Sequence, residues 1–582
     1  MRGALQSAAA ERRVTAAVIL LVIASYVFMG FVALSDRENP DPRDAPYNLL
    51  ARGFLSGHLY IDKAAPQGLM ALRDPYDPDA NRPYTVNSAH HLHDISYYRG
   101  RLYLYFGAAP AVLVFIPWHL LTGGWLAQWA AVAALCVAGL LVNASLLWSA
   151  RRREFAAASA WAMPAAVLVI GFASYAPILL SRPDMWEVPI AFAYLGVSLA
   201  LRFLWEAFRG EGRFATWIML ASAAIGLAFA ARPTVMPDAL ILALPFLLAP
   251  VRRSLRAWAG AIIPVGLCGG AVALYNAERF GNPFDFGQKY QLAGQYVAHL
   301  RLFSAGFLSS NLWLYLFQPV HWTSIFPFAD EPPDGMLPAG HGTVEHMSGV
   351  LLNAPVLWMA LAAALIFAAR RPAARIALAA IAAAFVFAGS LILVSLFFGA
   401  CARYEFEFAP ALALLAALGI LAAESFPGPR WRLARVLWVP ALAFSVAFPM
   451  LYGIDRCVLD HDYNGIGYAG NGDALHAERE FAIARALSPG NRFSRLALGA
   501  VLSSKGESTE ALGIFEGLVR DEPGYAMAQF DLAHELAVQG RLDEAVAHYE
   551  IAHSLEPGDM KMLSALDAAR AARARPRASP GR

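Results

Sequence analysis

LYLYFGAAPAVLVFIPWHLL, residues 102–121, is apolar enough to cross a membrane, and whether it does fixes the topology of everything after it. The chain has 582 residues, 58% of them hydrophobic and 15% charged, with a mean hydropathy of +0.45. Soluble domains carry about 25% charged residues, so this composition is that of a polytopic membrane protein. Eleven other apolar stretches are long enough for a bilayer of about 30 Å. They lie at 14–35, 125–149, 157–179, 188–208, 214–232, 236–250, 257–277, 350–369, 376–398, 405–423 and 433–452.

Basic residues in short loops mark the cytoplasmic side. With Arg2, Arg12 and Arg13 inside, the inner loops hold Arg151–Arg153, then Arg202, Arg209 and Arg213, then Arg252, Arg253 and Arg256. Arg370, Arg371 and Arg375 follow, and then Arg430, Arg432 and Arg435. The short outer loops hold Arg182, Arg232 and Arg403, one each. Counting 102–121 as a span would put Arg151–Arg153 outside and invert every later loop. It is therefore read as a juxtamembrane helix at the outer face. The first apolar run is longer than a signal-peptide core of about 7–15 residues, so it is kept as an anchor.

The expected architecture is all-α. A helical bundle of about 11 spans plus juxtamembrane helices fills residues 1–455, with outer loops at 36–124 and 278–349. A linker (456–472), a soluble helical domain (473–575) and a basic tail (576–582) follow, all outside the cytoplasm. The soluble part carries a 34-residue period: Pro489, Pro523 and Pro557; Gly506 and Gly540; Ala477, Ala511 and Ala545; Phe481, Phe515 and Tyr549. This pattern resembles tetratricopeptide repeats, here two full repeats preceded by a half repeat and followed by a capping helix. Such an α-solenoid implies a protein partner on its concave face.

A net charge of +2 without a basic stripe gives no sign of nucleic-acid binding. Four cysteines make no disulfide framework or metal-spaced pair; Cys401 and Cys457, both at outer helix ends, are the one pair open to bridging. His90, His91, His93 and Asp94 hold ligand types a divalent cation would take, but a hydrogen-bonded loop explains them as well, and no resident metal or other cofactor is assigned.

Chemistry is expected where ionisable residues gather at the outer ends of several spans, because charge there is costly unless used. Five groups do so: Asp36, Glu38 and Asp44; Arg182, Asp184 and Glu187; Arg232 and Asp238; Asp285 and Lys289; and Arg403, Glu405 and Glu407. Arginine forks suit phosphate oxygens, and a carboxylate can accept the proton of an attacking hydroxyl. In RDAPYNLLARGFLSGHLYI (43–61), Tyr47, Leu50, Ala51, Phe54 and Leu55 form one apolar stripe behind Asp44. For Asp44 itself, capping that helix is the plainer role.

The first 450 residues resemble the GT-C superfamily of polytopic glycosyltransferases, which includes protein O-mannosyltransferases and lipid A aminoarabinose transferases. The resemblance rests on Asp44-Ala45-Pro46-Tyr47 after the first span, on GRLYLYFGAAPAVLVF, on Glu187-Val188-Pro189-Ile190-Ala191-Phe192, and on Arg403-Tyr404 before Pro410. Many relatives carry a second acid where this chain has Ala45. The resemblance implies transfer of a sugar from a polyprenyl-phosphate donor to a protein or cell-envelope glycan or lipid acceptor, at the outer face of a bacterial-type inner membrane. It implies Asp44 and Glu187 as catalytic acids and Arg403, Arg182 and Arg232 as phosphate ligands, with Tyr47, Asp36, Glu38, Asp184 and Tyr404 as secondary candidates. Two other readings stay open: a membrane anchor for a repeat scaffold, and a transporter. No internal halves with matched broken helices support the last.

Overall fold

The computed structural model describes residues 2–34, 41–85, 92–209, 212–330, 337–342, 344–370, 372–425 and 429–574. The chain divides into two compact units, one running to Arg456 and the other comprising Cys457 onward together with Thr323–Phe328.

The first unit is a bundle of long apolar helices. Among the described residues, eight helices are long and apolar enough to cross a membrane. They are α1 (Arg2–Val32), α3 (Gln128–Arg153), α4 (Glu187–Phe208), α5 (Phe214–Ala231), α6 (Leu255–Phe280), α7 (Ala374–Ser395), α8 (Ala402–Glu424) and α9 (Pro429–Gly470). The amphipathic helix α2 (Pro46–Leu55) lies between the first two. This is a multi-pass membrane protein. The other three expected spans are shorter apolar helices, and each contains or adjoins proline, which removes a helix hydrogen bond. Segment 157–179 forms Ala162–Ala173, then breaks at Tyr175, whose φ is 69°. Segment 350–369 forms Pro355–Ala369. Segment 236–250 lies in a 15-residue 3-10 helix, Pro233–Leu247. At about 2 Å rise per residue that segment reaches roughly 30 Å, which an α-helix of the same length would not. The 102–121 stretch yields only the short helix Ala111–Thr122.

Helix α8 is the axis of the bundle. Nearly all of its residues are buried, as expected for a helix apolar on every side, whereas α6 buries only six. Gly419 lets the neighbouring chain approach: a Cβ there would lie 2.0 Å from the Met359 carbonyl oxygen, the close contact that small residues permit between membrane helices. Among the described residues, three two-stranded pairings decorate the loops. They are β1 (Ser96–Tyr98) with β2 (Arg101–Tyr103), β3 (His321–Trp322) with β4 (Ala329–Asp330), and β5 (Val344–Glu345) with β6 (Ala400–Cys401). Cys401 and Cys457 are both free thiols.

In the second unit the helices are α10 (Ala474–Leu487), α11 (Arg492–Ser504), α12 (Ser508–Asp521), α13 (Ala526–Val538), α14 (Leu542–Leu555) and α15 (Met560–Ala574). The expected linker at 456–472 is not one: α9 is helical through Gly470, and its last turns occupy the 34-residue frame. Gly465 faces the Phe481 ring as Gly499 faces Phe515, and Gly472, Gly506 and Gly540 all turn the chain with positive φ, which glycine adopts freely. The expected half repeat is therefore a complete helix pair whose first helix is the end of α9. Ala477, Phe481, Leu498, Phe515, Leu532 and Tyr549 share one core.

Candidate active site

Parallel pairing of Val344 with Ala400 and of Glu345 with Cys401 lays Glu345 beside the first turn of α8. Three arginines from distant parts of the chain converge on this carboxylate. Arg403 from α8 donates to Oε2 at 3.0 Å, while Arg182 and Arg456 donate to Oε1 at 3.1 and 3.2 Å. Partial burial disfavours the Glu345 charge, but Arg403, Arg456, Arg182 and His346 outweigh it and hold the carboxyl well below the usual carboxylate range.

Aromatic rings extend the cluster. Trp186 lies 5.0 Å from the Arg182 guanidinium and 5.6 Å from that of Arg403, and its indole N–H donates to Asp94 at 3.0 Å. Tyr404 is flanked by Arg403 at 5.4 Å and Arg232 at 5.3 Å. Arg232 is held in turn by Glu407, with Nε at 3.1 Å. Tyr105 sits among these groups. Burial raises its phenol well above the ordinary value, Asp94 and Tyr404 add to the shift, and Arg232 and Arg403 oppose it.

Glu187 is wholly buried. Its Oε2 accepts the Asp184 N–H at 3.1 Å, and the Asp184 side chain accepts the Met185 N–H at 2.6 Å. Both bonds close the turn ahead of α4, whose cap position is Trp186, without a side-chain bond of its own. Asp184 also accepts from Gln128 at 2.5 Å. The two acids thus fix the helix end that carries Trp186.

Asp44 is exposed and does not cap α2: the cap position is Ala45, without a side-chain bond, and Asp41 caps the short turn ahead of it. The plainer reading of Asp44 as a helix cap is therefore corrected. What its charge faces is Lys63, whose ammonium is lowered by burial against the opposing pull of Asp44. Behind it, Tyr47 stacks on Phe115 with centroids 5.4 Å apart, tying α2 to the 111–122 helix. Burial raises the Tyr47 phenol and Arg232 opposes that shift.

The structure thus brings together Arg182, Asp184, Glu187, Arg232, Arg403 and Tyr404, while Asp44 heads a helix packed on the 111–122 helix through Tyr47. Asp36, Glu38, His90 and His91 lie outside the described residues. His93 is 4.0 Å from Asp94, and among the described residues no three His, Cys, Asp or Glu side chains gather as a metal site would need. Asp285 and Lys289 pair with each other at 2.9 Å, and Asp238 is buried with Ser390 within the bundle.

No protein-family model and no curated protein matches the chain. Among solved structures it is similar to ArnT from Cupriavidus metallidurans bound to undecaprenyl phosphate. Identity is 14% and the TM-score 0.39, over 92% of this chain and 77% of that one. The same protein in the apo state gives 15% and 0.40, over 78% and 79%. The archaeal oligosaccharyltransferase AglB from Archaeoglobus fulgidus, in complex with an inhibitory peptide and a dolichol-phosphate, gives 12% and 0.36, over 75% and 56%. These are distant likenesses. The chemistry below is read from this chain's own side chains.

Sequence reasoning missed Glu345, Arg456, Trp186, Tyr105 and Lys63, and singled out Asp94 only as a candidate cation ligand. Arg456 ends an apolar run, as the five chosen groups do, and passed unnoticed inside the supposed linker. Lys63 had a signal too: the chain has four lysines, and this is the only one before Lys289. Glu345 lies in a long loop with no local pattern to single it out.

Proposed function

We propose that this chain is a membrane glycosyltransferase that moves one sugar from a polyprenyl-phosphate-linked donor to an extracytoplasmic hydroxyl acceptor on a protein or envelope glycan or lipid. The observation that carries the reading is the cluster of Arg182, Arg403 and Arg456, walled by Trp186 and Tyr404. Guanidinium forks match phosphate oxygens, and the apolar spans around them suit a polyprenyl chain.

Asp44 takes the acceptor hydroxyl's proton as its oxygen bonds to the sugar's anomeric carbon. The bond from that carbon to the donor phosphate breaks, and its electron pair leaves on the phosphate. Arg403 and Arg182, joined by Arg456, stabilise that developing charge, which is where fixed donors contribute most. Arg232, already neutralised by Glu407, holds Tyr404 in place, and Glu187 acts as a positioning residue through its bond from the Asp184 N–H. The donor presents its sugar on the outer face, so the N-terminus is cytoplasmic and the repeats are extracytoplasmic, where they bind acceptor or partner protein.

Mass spectrometry of lipids co-purified with wild type and Arg403→Ala tests the reading. A polyprenyl-phosphate glycan carried by wild type and lost in the variant supports it and names the sugar. Bulk phospholipid alone, unchanged by the substitution, refutes the phosphate assignment.

A further inference from the structure

Three guanidinium groups focused on one carboxylate form the geometry of an anion site that already holds an anion. Glu345 is the outermost member of that group. Its side chain is 36% exposed, against 23% for Arg182, 14% for Arg403 and 4% for Arg456. The arginines therefore line a recess, and the carboxylate enters it from the solvent side. They come from three separate places, namely the segment before α4, the first turn of α8 and the α9 helix. Glu345 comes from a strand of two residues, whose partner strand is equally short.

We propose that Glu345 is a stand-in for the donor phosphate, seated among Arg182, Arg403 and Arg456 when no donor is bound and displaced into solvent as β5 leaves β6 on donor binding. This rests on the assignment of these arginines to the phosphate. The physical case is charge balance. Without Glu345 or a phosphate, the three largely buried arginines would share Glu187 as their nearest acid, and breaking a buried pair by removing one partner is costly. A carboxylate offers two acceptor oxygens in one plane, and a phosphate offers more oxygens with at least equal charge, so exchange keeps every guanidinium compensated. Glu345 loses little on release because over a third of its side chain already meets water, and the two-residue pairing is the whole of the regular structure that holds it. Donor affinity is thereby set by a competition within the chain, and the phosphate cage is never open and uncompensated between turnovers.

The test is binding of a polyprenyl monophosphate to the full-length protein in detergent, with the matching polyprenol as control and inorganic phosphate as competitor. Glu345→Gln keeps the shape and removes the charge, and the expectation is roughly tenfold tighter binding of the lipid phosphate with polyprenol unchanged. Competition by inorganic phosphate at concentrations that leave polyprenol binding unaffected assigns the gain to the headgroup. If Arg403→Ala weakens the lipid but Glu345→Gln does not tighten it, the stand-in is refuted and the phosphate clamp survives. If Arg403→Ala has no effect, the clamp itself falls. Because Glu345→Gln also alters the cage itself, a second variant tests displacement directly. Val344→Cys with Ala400→Cys, in a Cys401→Ser background, links the two strands on oxidation. Lipid-phosphate binding at least tenfold weaker when oxidised and recovered on reduction supports the proposal, and equal binding in both states overturns it.

Discussion

Arg403→Lys keeps the charge in the proposed phosphate clamp and removes the guanidinium plane, so it separates charge from shape. Arg403 donates to Glu345 at 3.0 Å and lies over Trp186 at 5.6 Å and Tyr404 at 5.4 Å, with its side chain only 14% exposed. A lysine retains one donor but cannot form a fork or stack. A charge-assisted hydrogen bond contributes about 1.5–3 kcal/mol, and each cation–π contact about 0.5–2 kcal/mol depending on desolvation. Allowing for the donor that lysine keeps, the loss comes to about 2–4 kcal/mol, or roughly 30- to 1,000-fold in affinity for a polyprenyl phosphate. The assay is that affinity, measured by native mass spectrometry in detergent. Arg435→Lys is the control, because Arg435 pairs with Glu424 at the opposite end of α8, about 30 Å away along the helix. Lysine binding within threefold of wild type would show that planar recognition has no part in the site. An equal loss in the Arg435 variant would show that the effect is not local.

Asp44→Asn should lower transfer about 100- to 10,000-fold with donor binding and melting temperature unchanged, because Asp44 is exposed and caps no helix; a matching loss of stability would mean the acid is structural. Glu407→Gln leaves Arg232 without its counter-charge in a pair only 12% and 7% exposed, and thermal unfolding should show a cost of about 3–5 kcal/mol. Gly419→Ala places a methyl against the Met359 carbonyl and should cost about 1–3 kcal/mol, read as a lower melting temperature in detergent. Burial raises Asp531 to about 6, above the roughly 3.9 of an unfolded aspartate. Its stability contribution is therefore full below pH about 4 and is lost as pH rises through about 6. Discounted for partial exposure, Asp531→Asn should gain about 1–2 kcal/mol at pH 7.5 and nothing at pH 4. Amide-exchange protection of α13 in the intact protein, corrected for intrinsic rates, would show this, and equal gains at both pH values would refute it.

The membrane architecture was legible because its causes are local. Span length and proline position are each written within about twenty residues, and both act on the helix that contains them. The repeat frame was equally local in Phe481, Phe515 and Tyr549. It failed only at its upstream edge, where Gly465 and Gly472 hold the phase but the surrounding polar residues, Asp460 to Asn464, read as a break in the span. A helix that changes from an apolar surrounding to a soluble core partway along its length has no single periodicity, so a composition shift was mistaken for a change of structure.

The site was legible to the extent that its members lie beside span ends. Arg182, Arg232 and Arg403 were found because an apolar run frames each one, and the bundle's antiparallel course then gathers those ends. What sequence alone could not give is which acid answers which arginine. Arg182 and Arg403 were assigned to a phosphate, and Glu187 to catalysis, with no counter-charge within the chain. In the structure Glu187 turns back to the Asp184 N–H, and the counter-charge arrives from Glu345, 163 residues from Arg182 and 58 from Arg403. A carboxylate in a loop is specified by the strand pairing that carries it, and a two-residue pairing leaves almost no pattern to read. The same brevity that hides Glu345 from sequence analysis makes its seat easy to vacate, so the residue least visible in the sequence is the one best placed to be exchanged for a substrate.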